Sequence, residues 1–262
     1  MTHGSTAQDL LFDVSGGIAR IAFNRPGARN AFTLEMYEEL ARLCERVNAD
    51  SSIRVLVVTG AGDKAFSAGT DISVFRDFKT EEDALGYEAF MERVLGGLER
   101  CRVPTIAAIA GACTGGGGAI AACCDLRIGT SDTKFGFPIA RTLGNCLSIR
   151  NLGRLSSLVG AARVKEMIFT ARLIGAEEAL RIGLLTGMVK DRAELDARVK
   201  TLAEEIAGFA PLTLRATKEG LRRMQSAETP DRDLILMCYM SEDFREGMSA
   251  FLEKRAPKWR GR

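Results

Sequence analysis

Histidine is nearly missing from this 262-residue chain; the only one is His3. That excludes a buried Ser–His–Asp triad and any metal site built on imidazoles. Aromatic residues are scarce as well, at 6%, which removes the stacking platforms that single-stranded nucleic acids use. There is little net charge to draw the chain to a polyanion or an anionic membrane, because 36 basic residues stand against 34 acidic ones. Cys-x-x-Cys spacing is absent, and the cysteines are odd in number: Cys44, Cys101, Cys113, Cys123, Cys124, Cys146 and Cys238. They read as reduced thiols packed like small hydrophobes. Met1 to Leu10 lacks the apolar core of a signal peptide. The expectation is a cytoplasmic protein with no metal site, no redox cofactor, and neither nucleic acid nor membrane as partner.

What is present is a folded composition, 46% hydrophobic and 27% charged. One uncharged stretch, Val103 to Cys124, is long enough to span a bilayer. Pro104, Gly111 and the run Gly115–Gly118 interrupt it, so a buried strand, a tight turn and a buried helix fit better.

Ile18 to Asn24 alternates, with Ala19, Ile21 and Phe23 on one face, as a half-buried strand does. Thr33 is placed to cap a helix whose apolar stripe is Tyr37, Leu40, Ala41, Cys44 and Val47. Val55 to Thr59 and Thr105 to Ala110 are continuous apolar runs, the mark of strands buried on both faces. Helices are predicted over 83–100 and 119–124, and a strand over 126–129. The first two-thirds therefore repeats a strand–strand–helix theme, which means α/β architecture. Helical patterns dominate from Val159 onward, over 176–182, 195–209, 213–224 and 233–254.

Two loops stand out chemically. Gly115–Gly118 lies between a buried strand and a helix start, where bare N–H groups and the helix dipole suit a developing oxyanion. A tight core turn would need the same glycines. The run is no P-loop, since no Gly-Lys-Ser/Thr follows it. Ala65 to Ile72 (AFSAGTDI) is a second small-residue loop after a buried strand.

In order and spacing, these segments resemble the crotonase (enoyl-CoA hydratase/isomerase) superfamily over nearly the whole chain. The residues that carry the resemblance are Asn24-Arg25-Pro26 with Asn30-Ala31, Val57 to Gly60 and Phe66 to Ile72. They continue through Pro104, Ile109 to Gly111, the glycine run with Cys124-Asp125, Phe135 to Pro138, and Glu242 to Trp259. The resemblance implies a spiral of ββα units with an acyl-CoA site, taken as residues 1–195, and a helical oligomerisation region over 196–262. It implies a homotrimer or a dimer of trimers, an acyl-CoA thioester as partner, and no cofactor beyond the coenzyme A of the substrate. It places an oxyanion hole at the N–H groups of Ala68 and Gly116. It expects substrate contacts at Arg25, Ala28, Asp71 and Ile72, with Phe251 and Lys254 closing over the CoA.

The chain departs from that pattern where a hydratase keeps its two glutamates. The first position is Ala119; the second is Ile139, or Ala140 if Leu143-Gly144 sets the alignment. Neither moves a proton. Arg141 and Asn145 are polar candidates near the second position but poor bases. Asp77, Glu88 and Glu92 are carboxylates that face either the acyl pocket or solvent. Three readings follow: a hydratase/isomerase-type enzyme with a non-standard acid or base, a non-catalytic acyl-CoA-binding paralogue, or a related reaction such as thioester hydrolysis or decarboxylation.

Overall fold

The computed structural model describes residues 9–76, 78–225, 233, 237 and 240–262. His3, Asp77, Cys238 and the Phe251 side chain lie outside the described residues.

Strands apolar on both faces sit at the centre of the larger sheet. Its six strands run in the order β1 (Leu10–Ser15), β2 (Ile18–Phe23), β3 (Val55–Gly60), β5 (Thr105–Ile109), β7 (Leu126–Thr130) and β10 (Gly187–Val189). β1 and β2 pair antiparallel, and every other neighbour is parallel. A second sheet takes β4 (Ala65–Ser67), β6 (Ala112–Thr114), β8 (Lys134–Gly136) and β9 (Ile174–Gly175). After the helix α1 (Leu34–Ala49), the chain repeats one step three times: a strand of the large sheet, a strand of the small sheet, a helix. The repeats are β3–β4–α2 (Glu81–Glu99), β5–β6–α3 (Gly116–Cys123) and β7–β8–α4 (Ile139–Thr142). The expected α/β spiral of ββα units is the architecture found.

Local chemistry explains the borders. Thr33 Oγ1 accepts from Met36 N at 3.3 Å and starts α1. At α2, the Thr80 side chain and Asp83 cap each other's backbone, a complete capping box. α3 starts at Gly116, three residues before the predicted Ala119, because Gly115 at φ 53° turns the chain straight from β6 into the helix. Arg127, 3% exposed, fixes the other end of α3. Its guanidinium donates to the carbonyls of Cys124 (2.5 Å) and Leu184 (2.7 Å). Burial pushes its pKa down, and carbonyl oxygens satisfy its donors in place of a carboxylate.

The chain continues through α5 (Ile149–Val159), α6 (Ala161–Phe169), α7 (Ala176–Arg181), α8 (Arg192–Ala207), α9 (Pro211–Gln225) and a last helix, Glu242–Leu252. One core lies between the large sheet and α1 to α3; a second lies on the opposite sheet face, under α8. Leu195, Val199, Ala203 and Ile206 pack there against Val55, Val57, Ile106 and Ala108. At roughly 1.5–3 kcal/mol per large apolar side chain buried, that face holds α8 on the sheet. The expected division after residue 195 thus falls inside a helix that belongs to the core. β1 was not anticipated. It forms a register with β2 from Leu10↔Phe23 to Ser15↔Ile18.

Candidate functional site

Because β4 and β6 are parallel neighbours, the loops that follow them lie side by side. The contact is close: a Cβ on Gly69 would come within 3.2 Å of the Gly116 nitrogen. On Gly116, a Cβ would lie 2.1 Å from the Tyr37 hydroxyl and 3.3 Å from the Thr70 nitrogen. No side chain fits there.

The backbone bonds decide which N–H groups are free. Phe32 N donates to Gly69 O at 2.8 Å, and Phe32 O accepts from Asp71 N at 2.8 Å. This parallel bridge engages the residues on either side of Thr70. Parallel pairing directs the intervening amide the other way. Thr70 N–H makes no hydrogen bond among the described residues. Gly116 opens α3, so its N–H has no carbonyl one turn back. The expectation for Ala68 is corrected here: its N–H donates to Arg29 O at 2.9 Å and is already engaged. Among the described residues, Thr70 and Gly116 thus each bring an unengaged N–H to this junction.

Both border a cavity of about 250 Å³. Its floor is Gly115, Gly116 and Ala119; one wall is Tyr87, Glu88 and Met91 from α2; the other is Pro138, Ile139, Asn145 and Leu147. Ala119 and Ile139, the expected glutamate positions of a hydratase, are buried and line it. Thr70 Oγ1 sits 2.9 Å from the Tyr37 hydroxyl and 2.9 Å from the Tyr87 hydroxyl, a chain of three that holds the Thr70 loop. Burial raises the pKa of both phenols and keeps them protonated.

The remaining expected residues divide. Ile72 and Asn145 line the cavity; Arg141 is exposed and does not. Arg25 Nη1 donates to Ala31 O at 2.6 Å and lies 3.5 Å from Asp71 Oδ2. Asp71 Oδ1 takes the Ser73 hydroxyl at 2.8 Å and the Ser73 N–H at 3.2 Å. Those two bonds, with the nearby Arg25, hold its carboxyl below the usual range. Ala28 is exposed on a turn that Asn30 staples to the neighbouring loop, its Nδ2 donating to Ala61 O (3.0 Å) and Ala65 O (2.8 Å). Lys254 is exposed just beyond the last helix.

Sequence reasoning left Glu88 undecided and did not find the Arg154 clasp. Arg154, 5% exposed, pairs with Glu92 and Glu99 of α2, each at 2.8 Å. A charge with no predicted partner on an apolar helix was the available signal. Among the described residues no cluster of His, Cys, Asp and Glu is suited to hold a metal, and no helix is long and apolar enough to cross a membrane.

Comparison with known proteins gives the family. The family profile described as "Enoyl-CoA hydratase/isomerase" matches residues 13–262. A crotonyl-CoA hydratase of Syntrophomonas wolfei is 35% identical, over 95% of this chain and 96% of its own. An (E)-benzylidenesuccinyl-CoA hydratase of Thauera aromatica is 36% identical, over 96% and 99%. Among solved structures, an enoyl-CoA hydratase/carnithine racemase from Magnetospirillum magneticum superposes with a TM-score of 0.91 at 34% identity, covering 98% of this chain and 97% of that one.

Proposed function

The chain belongs to the enoyl-CoA hydratase/isomerase family, and from that premise we propose that it binds an acyl-CoA thioester in this cavity and works through the thioester enolate. The thioester oxygen lies between the N–H groups of Thr70 and Gly116. Charge that moves onto that oxygen meets two fixed donors and the positive end of α3. Each donor is worth roughly 3–4 kcal/mol in such a site. The observation that supports this is the pair of unspent amides at one junction on one cavity. Arg25, Ala28, Asp71 and Ile72 border the path of the CoA moiety. Phe251 and Lys254 contribute from a neighbouring subunit of a trimer or a dimer of trimers. The reaction draws on no cofactor beyond the substrate's own coenzyme A.

Titration with acetoacetyl-CoA tests this directly, because its enolate has an ultraviolet band at longer wavelength than the neutral thioester and the adenine. Binding with growth of the enolate band is the expected result. An acyl-CoA that binds no better than free CoA, with no enolate band, sinks the proposal.

The apolar Ala119 and Ile139 favour a second reading, a binding protein without turnover. A panel of 2-enoyl-, 3-enoyl- and 3-hydroxyacyl-CoAs separates the two: the second reading requires binding of the panel with no conversion of any member.

A further inference from the structure

With both hydratase positions apolar, the proton must travel on some other group, and the cavity lining restricts the choice. The side chains of Thr70, Thr114, Thr142, Asn145 and Asn151 do not take up a proton at neutral pH. The Tyr87 hydroxyl is bonded to Thr70 and held protonated by burial. Cys146 is on the exposed rim, with no histidine in the lining to take its proton. Among the described residues, Glu88 is the only carboxylate on this surface.

Its helix explains why it is free. α2 carries three glutamates toward this side of the molecule. Glu92 and Glu99 share Arg154, and Glu92 also has Arg150 at 3.8 Å. Glu88 lies one turn before Glu92, half-buried, with no hydrogen bond or ion pair among the described residues. Tyr87 and Met91 flank it on the same wall. Burial without a partner raises its pKa toward the range of a working acid–base group.

Resting on the acyl-CoA reading above, we propose that Glu88 is the catalytic proton carrier of this site, moving a proton between C2 and C4 of a 3-enoyl-CoA. The Glu88 carboxylate takes the C2 proton. The electron pair of the C2–H bond forms a C1–C2 double bond, and the carbonyl pair moves onto the oxygen held by Thr70 and Gly116. The oxygen then re-forms the carbonyl, the C1–C2 pair shifts to C2–C3, and the C3–C4 pair takes the proton back from Glu88 at C4. The carboxylate is restored and the product is the 2-enoyl-CoA. No water, oxidant or second acid enters, which suits a cavity with one carboxylate. Hydration needs a water held and deprotonated where Ala119 and Ile139 stand.

The test compares the full-length protein with Glu88→Gln and Glu88→Asp. Three readings are taken on each: the enolate band with acetoacetyl-CoA, conversion of 3-hexenoyl-CoA to the conjugated isomer, and deuterium uptake at C2 in heavy water. Glu88→Gln is expected to keep acetoacetyl-CoA binding and lose isomerisation and exchange by about 100-fold or more. Glu88→Asp is expected to keep part of both. Wild-type turnover that survives in Glu88→Gln overturns the proposal and leaves the oxyanion reading standing. So does wild-type protein that binds acetoacetyl-CoA but neither isomerises nor exchanges. Failure of wild-type protein to bind any acyl-CoA overturns both together.

Discussion

The two sides of the cavity are made of different material. The floor, at the junction of the β4 and β6 loops, is backbone: two N–H groups whose directions follow from a parallel bridge and a helix start. The α2 wall is side chain: Tyr87 and Glu88 on one turn of the helix and Met91 on the next. A backbone donor is held in place by the pairing of whole strands, so it survives almost any change of sequence that keeps the strands together. A side-chain acid can be lost from one wall and supplied from another without disturbing the fold. That asymmetry suits the proposed reading, in which the junction supplies the amides and Glu88, rather than Ala119 or Ile139, carries the proton.

The comparison breaks most visibly at the floor. Gly116→Ala puts a Cβ 2.1 Å from the Tyr37 hydroxyl and displaces the donor amide. Turnover of an acyl-CoA substrate is expected to fall about 100- to 1000-fold, the usual cost of one oxyanion donor. A variant with unchanged kcat would mean that the floor carries no charge stabilisation.

The wall has its own dependence. Arg154→Met takes the shared cation from Glu92 and Glu99 and leaves Glu92 only the more distant Arg150, at 3.8 Å. Those carboxylates keep 26% and 23% exposure, so the loss is expected near the low end for a broken buried pair, about 3 kcal/mol in urea unfolding. An unchanged midpoint would show that α2 is held by its apolar face alone.

The smallest effect is at the edge, where Asp71 ties the Thr70 loop to Ser73 and Arg25. Its pKa is depressed in the folded chain. Its contribution is therefore complete above the unfolded value and is lost as pH falls through the folded one. Asp71→Asn should lower stability at about pH 7, and the gap from wild type should close toward about pH 3. A gap that widens in acid would contradict the sign.

Some of this was legible in the residues and some was not, for physical reasons. The buried strands, the Thr33 cap and the glycine turn into α3 are local, written in runs of a few side chains. The Asp125 carboxylate accepts from Thr105 N at 2.7 Å and from Lys218 Nζ at 2.7 Å, a tie between β5 and α9 that no local run of residues announces. Choosing between Ala68 and Thr70 needed a carbonyl 39 positions away, that of Arg29, and no local pattern encodes it. β1 escaped because Asp9 and Asp13 dilute its apolar pattern, and its strand character comes from its pairing with β2. Arg154 escaped because its partners lie on a helix more than fifty residues earlier.

α2 is fastened unequally along its length. Beyond its midpoint, Met91, Val94, Leu95 and Leu98 are buried and Arg154 grips from outside; before it, Ala84, Leu85 and Gly86 face solvent. That first half is held instead by its Thr80–Asp83 capping box and by the Phe75–Phe78–Tyr87 ring cluster, of which Phe75 and Tyr87 line the cavity. Because the Tyr87 hydroxyl also bonds Thr70 Oγ1, the wall that carries Glu88 and the loop that carries one of the two amides are tied together. The wall and the floor of the cavity are therefore set against each other by one chain of hydroxyls.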